Sequence, residues 1–170
     1  AGIIPPNGGA IRIAGVDLLA DPVGAKRKLA FFPDEPRLFE YLTVRQHLAF
    51  VARIYGVADH EATAAPLLEE LELANKADAL PAELSRGMKQ KVALAGALIH
   101  EPKLIMLDEF LKAPKLMQII FTRLILERTV GDAPLPDGSI VFATSNNASD
   151  GVGDGMLAHV GNRVCTLQMS

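Results

Sequence analysis

Apolar residues along this chain recur with two different periods, and the alternation between them predicts an α/β fold. Leu29-Ala30-Phe31-Phe32 and Leu104-Ile105-Met106-Leu107 read as buried strands, because a strand covered on both faces shows no polar alternation, and the stretch 139–144 reads as an apolar strand. Between them, apolar positions fall three and four apart. Thr43 caps a predicted helix running to about Tyr55, since its hydroxyl can accept an orphan backbone N–H. A second helix fits 61–73. Ser85 caps a third, with Val92, Leu94, Ala95, Leu98 and Ile99 as its apolar face, and 115–128 has the same period.

Shorter signals complete the pattern. Residues 9–19 alternate loosely around Ile11, Ile13 and Val16, which predicts a hairpin turning at Gly15-Val16-Asp17, and 22–28 reads as a short helix. Pro33 stops the first apolar run, Asp34-Glu35-Pro36 opens a loop, and Pro102 resets the chain before the second run. The Pro- and Gly-rich segment 131–138 reads as a turn, 145–154 as a polar loop and 163–169 as a last strand. Strands separated by helices predict a parallel sheet, with 43–100 as an inserted helical subdomain between 1–42 and 101–170.

Composition narrows the function. Of the 170 residues, 49% are hydrophobic and 22% charged, enough apolar surface for a core and against a disordered tail. A net charge of -3 without a long basic run argues against nucleic acid as a partner, since phosphate neutralisation needs a basic face. Cys165 stands alone, so no internal disulfide forms, and a reducing, intracellular setting is expected. No apolar run is long enough to span a membrane, and the first residues lack the pattern of a signal peptide, so direct membrane insertion is not expected.

The candidate chemistry lies in two stretches. Leu104-Ile105-Met106-Leu107 ends in Asp108-Glu109, a buried strand delivering carboxylates to its C-terminal tip, where open α/β sheets place their ligands. In phosphoryl transfer one such carboxylate holds Mg2+ and its neighbour orients the attacking water. Ahead of it stands Leu84-Ser85-Arg86-Gly87-Met88-Lys89-Gln90. Nowhere between Ala1 and Ser170 is there a G-x-x-x-x-G-K-[ST] loop, whose backbone N–H groups and lysine cradle phosphates. Other readings are plainer. Asp34 and Glu35 also suit an ordinary turn, and Asn146 also suits a loop after a strand. Gly151, Gly153 and Gly155 are followed by neither lysine nor helix start, so they read as loop. His47, His60, His100 and His159 lack metal-ligand spacing, and Cys165 reads as core.

From about Ile4 to Glu109 the chain resembles the ATP-binding subunit of ABC transporters. Residues 84–90 resemble the family's signature motif, residues 93–103 its run into the Walker B strand, and Pro5-Pro6-Asn7-Gly8-Gly9 the segment after the Walker A helix. Phe32-Pro33-Asp34-Glu35-Pro36, with Leu42-Thr43-Val44-Arg45, resembles the Q-loop and the region facing the membrane subunit, with Asp34 where the family usually has glutamine. The resemblance implies a partial P-loop NTPase sheet that has lost its first strands and phosphate loop. It implies ATP and Mg2+ as cofactors, Asp108 as the metal ligand and Glu109 as the residue acting on water. Ser85 and Gly87 are implied to contact the γ-phosphate of ATP held mainly by a second ATP-binding subunit. A transporter membrane subunit is the implied partner, with the protein on the cytoplasmic face of the membrane. Without the phosphate loop, little or no ATP hydrolysis is expected.

After Glu109 the chain departs from that pattern: Phe110 replaces the usual proline, and Ser145-Asn146 follows the next strand. Residues 107–170 resemble an AAA+ ATPase, MoxR-like or phage-type, with Asn146 as sensor 1 and Asn162-Arg163 as the arginine-finger region. The two resemblances suggest a chimera of two P-loop NTPases joined at Asp108-Glu109. Three further readings stand beside the transporter ATPase: an interaction module lending its signature helix in trans, an AAA+ remodelling subunit, and a truncated product without a role.

Overall fold

The computed structural model describes residues 8–144. Its frame is a parallel sheet of β3 (Leu29–Phe32), β4 (Leu104–Leu107) and β7 (Ile140–Ala143), in the order β3-β4-β7. The register is in step across the sheet: Leu29 lies beside Leu104 and Leu104 beside Ile140, through to Phe32, Leu107 and Ala143 at the C-terminal edge. All three apolar runs are therefore strands, and the parallel sheet predicted from their spacing is present.

Alternation along each strand divides the sheet into two faces. Ala30, Phe32, Ile105 and Leu107 are buried against α4 (Arg86–Leu98) and α5 (Lys115–Leu126), where Phe121 meets Phe32 edge to face at 5.0 Å. On the other face Leu29 is buried with Ile13, Leu18 and Ala25, while Phe31, Ile140 and Phe142 are exposed. The residues over that second face come from a hairpin, β1 (Arg12–Ile13) with β2 (Val16–Asp17), and α1 (Pro22–Lys26).

The helical part packs α2 (Val44–Tyr55) and α3 (His60–Glu70) against α4. Thr43 and Gln46 form a reciprocal cap, Gln46 N donating to Thr43 Oγ1 at 3.3 Å and Thr43 N to Gln46 Oε1 at 3.0 Å, and Gly56 at φ 75° ends the helix. Asp59 caps α3 through the Ala62 N–H at 3.0 Å.

Several boundaries differ from expectation, each for a local reason. The first hairpin turns at Ala14-Gly15, both with positive φ, so Val16-Asp17 is strand rather than turn. The second helix stops at Glu70 rather than Leu73, because Glu72 adopts φ 57° and folds the chain back, bringing the Leu73 N–H to the Leu68 carbonyl at 2.7 Å. The last described helix stops at Leu126, where Arg128 at φ 59° turns the chain. The segment expected as a turn after it includes part of a small hairpin, β5 (Thr129–Val130) with β6 (Ala133–Pro134).

Candidate functional site

The central strand β4 ends where the sequence places its carboxylates. Asp108 N–H donates to the Phe32 carbonyl at 2.9 Å, so the first residue past β4 is still tied to β3. On the other side, Thr144 N–H donates to Leu107 O at 2.8 Å and Phe110 N–H donates to Thr144 O at 2.9 Å. The tips of all three strands thus converge on the Asp108-Glu109 turn, at the carboxyl edge of the parallel sheet.

Glu109 holds a left-handed backbone, φ 51° and ψ 44°, uncommon for a residue with a side chain. It is followed by the buried Phe110, which begins the single turn Phe110–Lys112 and packs against Phe121 at 6.2 Å between ring centres. Lys112 Nζ lies 3.4 Å from Glu109 Oε1, a partly exposed ion pair. Asp108 Oδ1 accepts the Thr144 hydroxyl proton at 2.8 Å. Lys112 and Thr144 were not among the predicted site residues. The signal for Thr144 is positional: Ala143 lies beside Leu107, so the polar residue after it lies beside Asp108.

Ser85 does cap α4, its Oγ accepting from Met88 N at 3.2 Å. Ser85 and Arg86 are exposed, and a side chain added at Gly87 would meet nothing, so the helix start is open. A helix start presents backbone N–H groups without intrahelical partners, the arrangement suited to an anion. Asp34 is brought to this helix: Asp34, Glu35 and Arg37 face Arg86, Lys89 and Gln90 across a cleft of about 200 Å³. Gln90 is only 3% exposed, and among the described residues its Oε1 has no hydrogen-bond partner. Asn146 and Arg163 lie outside the described residues, as do Cys165 and Gly151 to Gly155.

Two histidines are perturbed, both away from the carboxylate turn. Burial lowers the pKa of His47, and burial lowers that of His100 against an opposing contact from the Leu29 carbonyl. Among the described residues no cluster of three or more His, Cys, Asp and Glu could hold a metal. A Mg2+ ion held mostly by substrate phosphates and water asks for only one or two carboxylates, and Asp108 fits that chemistry.

A family model described as ABC transporter matches residues 1–112. This chain belongs to the ABC transporter family. The Nod factor export ATP-binding protein I of Burkholderia thailandensis is 42% identical over 110 residues, covering 64% of this chain and 36% of that protein. The spermidine/putrescine import ATP-binding protein PotA of Pseudomonas aeruginosa is 38% identical over 136 residues, 77% of this chain and 37% of the relative. A solved structure of an ATP-binding subunit of an ABC transporter superposes with a TM-score of 0.68 at 34% identity, covering 87% of this chain and 61% of that one. The chain therefore spans less than half the length of these curated relatives. Coverage of 77% and 87% carries the ABC likeness past Glu109, where the sequence pattern was expected to stop. An AAA+ continuation finds no support in these comparisons, and neither does a chimera.

Proposed function

We propose that this chain forms the signature-helix and Walker B portion of an ATP-binding subunit that energises an ABC transporter. The observation that carries the reading is the convergence of three parallel strand tips on Asp108-Glu109. In this reading Asp108 holds Mg2+ on the ATP phosphates, and Glu109 orients the attacking water. Ser85 and Gly87, at the open start of α4, contact the γ-phosphate of ATP held by a second ATP-binding subunit. Asp34 takes the place next to the signature helix that would couple nucleotide to the membrane subunit. ATP and Mg2+ are the cofactors, and the protein works at the cytoplasmic face of the membrane through its partner. Among the described residues no helix is long and apolar enough to cross a membrane.

Residues 1–170 contain no phosphate loop, so we propose that this stretch by itself hydrolyses ATP poorly. Calorimetric titration with Mg-ATP, run beside Asp108→Asn, tests this. Weak or no heat from either chain is expected. Tight binding lost in the variant would mean that a phosphate site assembles without the usual loop.

One observation favours a second, non-catalytic reading, docking on a membrane subunit. Tyr41 is 89% exposed, and Phe39, also exposed, stands edge to face with Phe50 at 5.1 Å, an apolar surface at the start of α2. A pull-down with the membrane subunit that is lost in Tyr41→Glu supports docking, and retention without any Mg-ATP effect favours docking alone.

A further inference from the structure

We infer that Thr144 is the positioning residue for the Asp108 carboxylate, an inference that rests on the reading of Asp108 as the Mg2+ ligand. Thr144 is bonded three times to one turn. Its N–H donates to Leu107 O at 2.8 Å, its carbonyl accepts from Phe110 N at 2.9 Å, and its hydroxyl donates to Asp108 Oδ1 at 2.8 Å. The two backbone bonds fix where the threonine stands, immediately past β7. A β-branched side chain has few χ1 choices, so the hydroxyl has little freedom once the backbone is set.

The direction of the third bond follows from chemistry. An ionised carboxylate only accepts, so the threonine supplies the proton, and Oδ1 is committed to it. Among the described residues Asp108 Oδ2 accepts no hydrogen bond, which leaves that oxygen for a cation. Holding one oxygen of a ligating carboxylate with a fixed donor sets the rotation of the group and presents the other in one direction. Partners of this kind are worth on the order of tenfold or more in metal affinity. The bond also joins β7 to the chemistry, because displacement of the β7 tip would turn the carboxylate of β4.

The test uses Mn2+ alone as the probe and the paramagnetic broadening of the Asp108 and Glu109 amide signals as the readout, with a melting curve for each protein. Four chains are compared: wild type, Thr144→Val, Thr144→Ser and Asp108→Asn. Loss of apparent Mn2+ affinity of about tenfold in Thr144→Val is expected, with affinity restored in Thr144→Ser, which keeps the hydroxyl. A folded Thr144→Val chain that binds Mn2+ as wild type does would overturn the role of Thr144. If valine prevents folding, Thr144→Ala removes the same hydroxyl and leaves both backbone bonds, and the same comparison decides. Asp108→Asn separates the two levels of the argument. Broadening that survives in Asp108→Asn, or is absent from wild type, removes Asp108 as the ligand and the inference with it, whereas broadening lost in Asp108→Asn but untouched in Thr144→Val removes only the threonine.

Discussion

The ammonium of Lys91 lies 2.8 Å from the carboxylate of Glu72, with the lysine side chain 9% exposed and the glutamate 81% exposed. The pair ties the middle of α4 to the turn that ends α3, and it is lopsided: burial costs fall on the cation, while the anion stays hydrated.

Removing the anion leaves a buried ammonium without its partner. Glu72→Gln is therefore expected to lower the melting temperature at neutral pH, whereas Lys91→Met, which keeps the stem and deletes the charge, is expected to change it little. The hydrogen bond from Lys91 and its charge hold the Glu72 carboxyl below the ordinary value of 4.5. A carboxyl lowered on folding stabilises above its unfolded pKa and loses that stabilisation as pH falls through the folded value. The gap between wild type and Glu72→Gln should accordingly narrow as pH falls below 4.5. A gap unchanged with pH would show that the pair contributes nothing through charge.

Phe121 is fully buried between Phe32 and Phe110, and so links the sheet to the residue that follows Glu109. Phe121→Ala is expected to cost about 3 to 5 kcal/mol in urea unfolding, the transfer loss plus the cavity left behind. Phe31→Ala, on the exposed face of β3, the strand whose Phe32 meets Phe121, should cost well under half of that. Equal costs would mean that both faces of β3 are covered in solution.

His100 stacks on Tyr55 at 3.8 Å between ring centres, with Nε2 placed 3.3 Å from the Leu29 carbonyl, and burial holds its pKa below 6.5. The unfolded chain then binds more protons than the folded one as pH falls below 6.5, so stability declines on the acid side. His100→Phe keeps a ring on Tyr55 and removes the titration. Its loss of stability between about pH 7.5 and pH 5 should be smaller than wild type's, with the remainder due partly to His47, which burial perturbs in the same direction. Parallel curves for the two proteins would place the acid loss elsewhere.

How far these features could be read from residues alone depends on how local their cause is. The caps at Thr43 and Ser85 were legible because a hydroxyl and the N–H groups after it lie within one turn of chain. The strands were legible because each is an uninterrupted run of apolar residues, even though Phe31, Ile140 and Phe142 on one face are exposed. The end of α3 was not: Leu71 and Leu73 are both buried and look like a continued apolar face, yet Glu72 between them is left-handed. In the site, Asp108 and Glu109 stood out as polar residues ending an apolar run. Thr144 and the cleft joining Asp34 to Gln90 depend on which strands and loops become neighbours, and that is decided by tertiary packing.

Ser85 carries two roles that one substitution confounds and a pair separates. As a cap it satisfies the Met88 N–H, and Ser85→Ala should cost about 1 kcal/mol in unfolding. As a γ-phosphate contact in trans it would also be needed when the chain is mixed with a subunit that supplies a phosphate loop. Aspartate caps as well as serine does, so Ser85→Asp should melt like wild type. It also sets a negative charge against the phosphate it is meant to meet, and ATPase stimulation in the mixture should fall to the level of the partner alone. Stimulation retained in Ser85→Asp would show that the open start of α4 faces no phosphate, and Ser85 would then be a helix cap and nothing more.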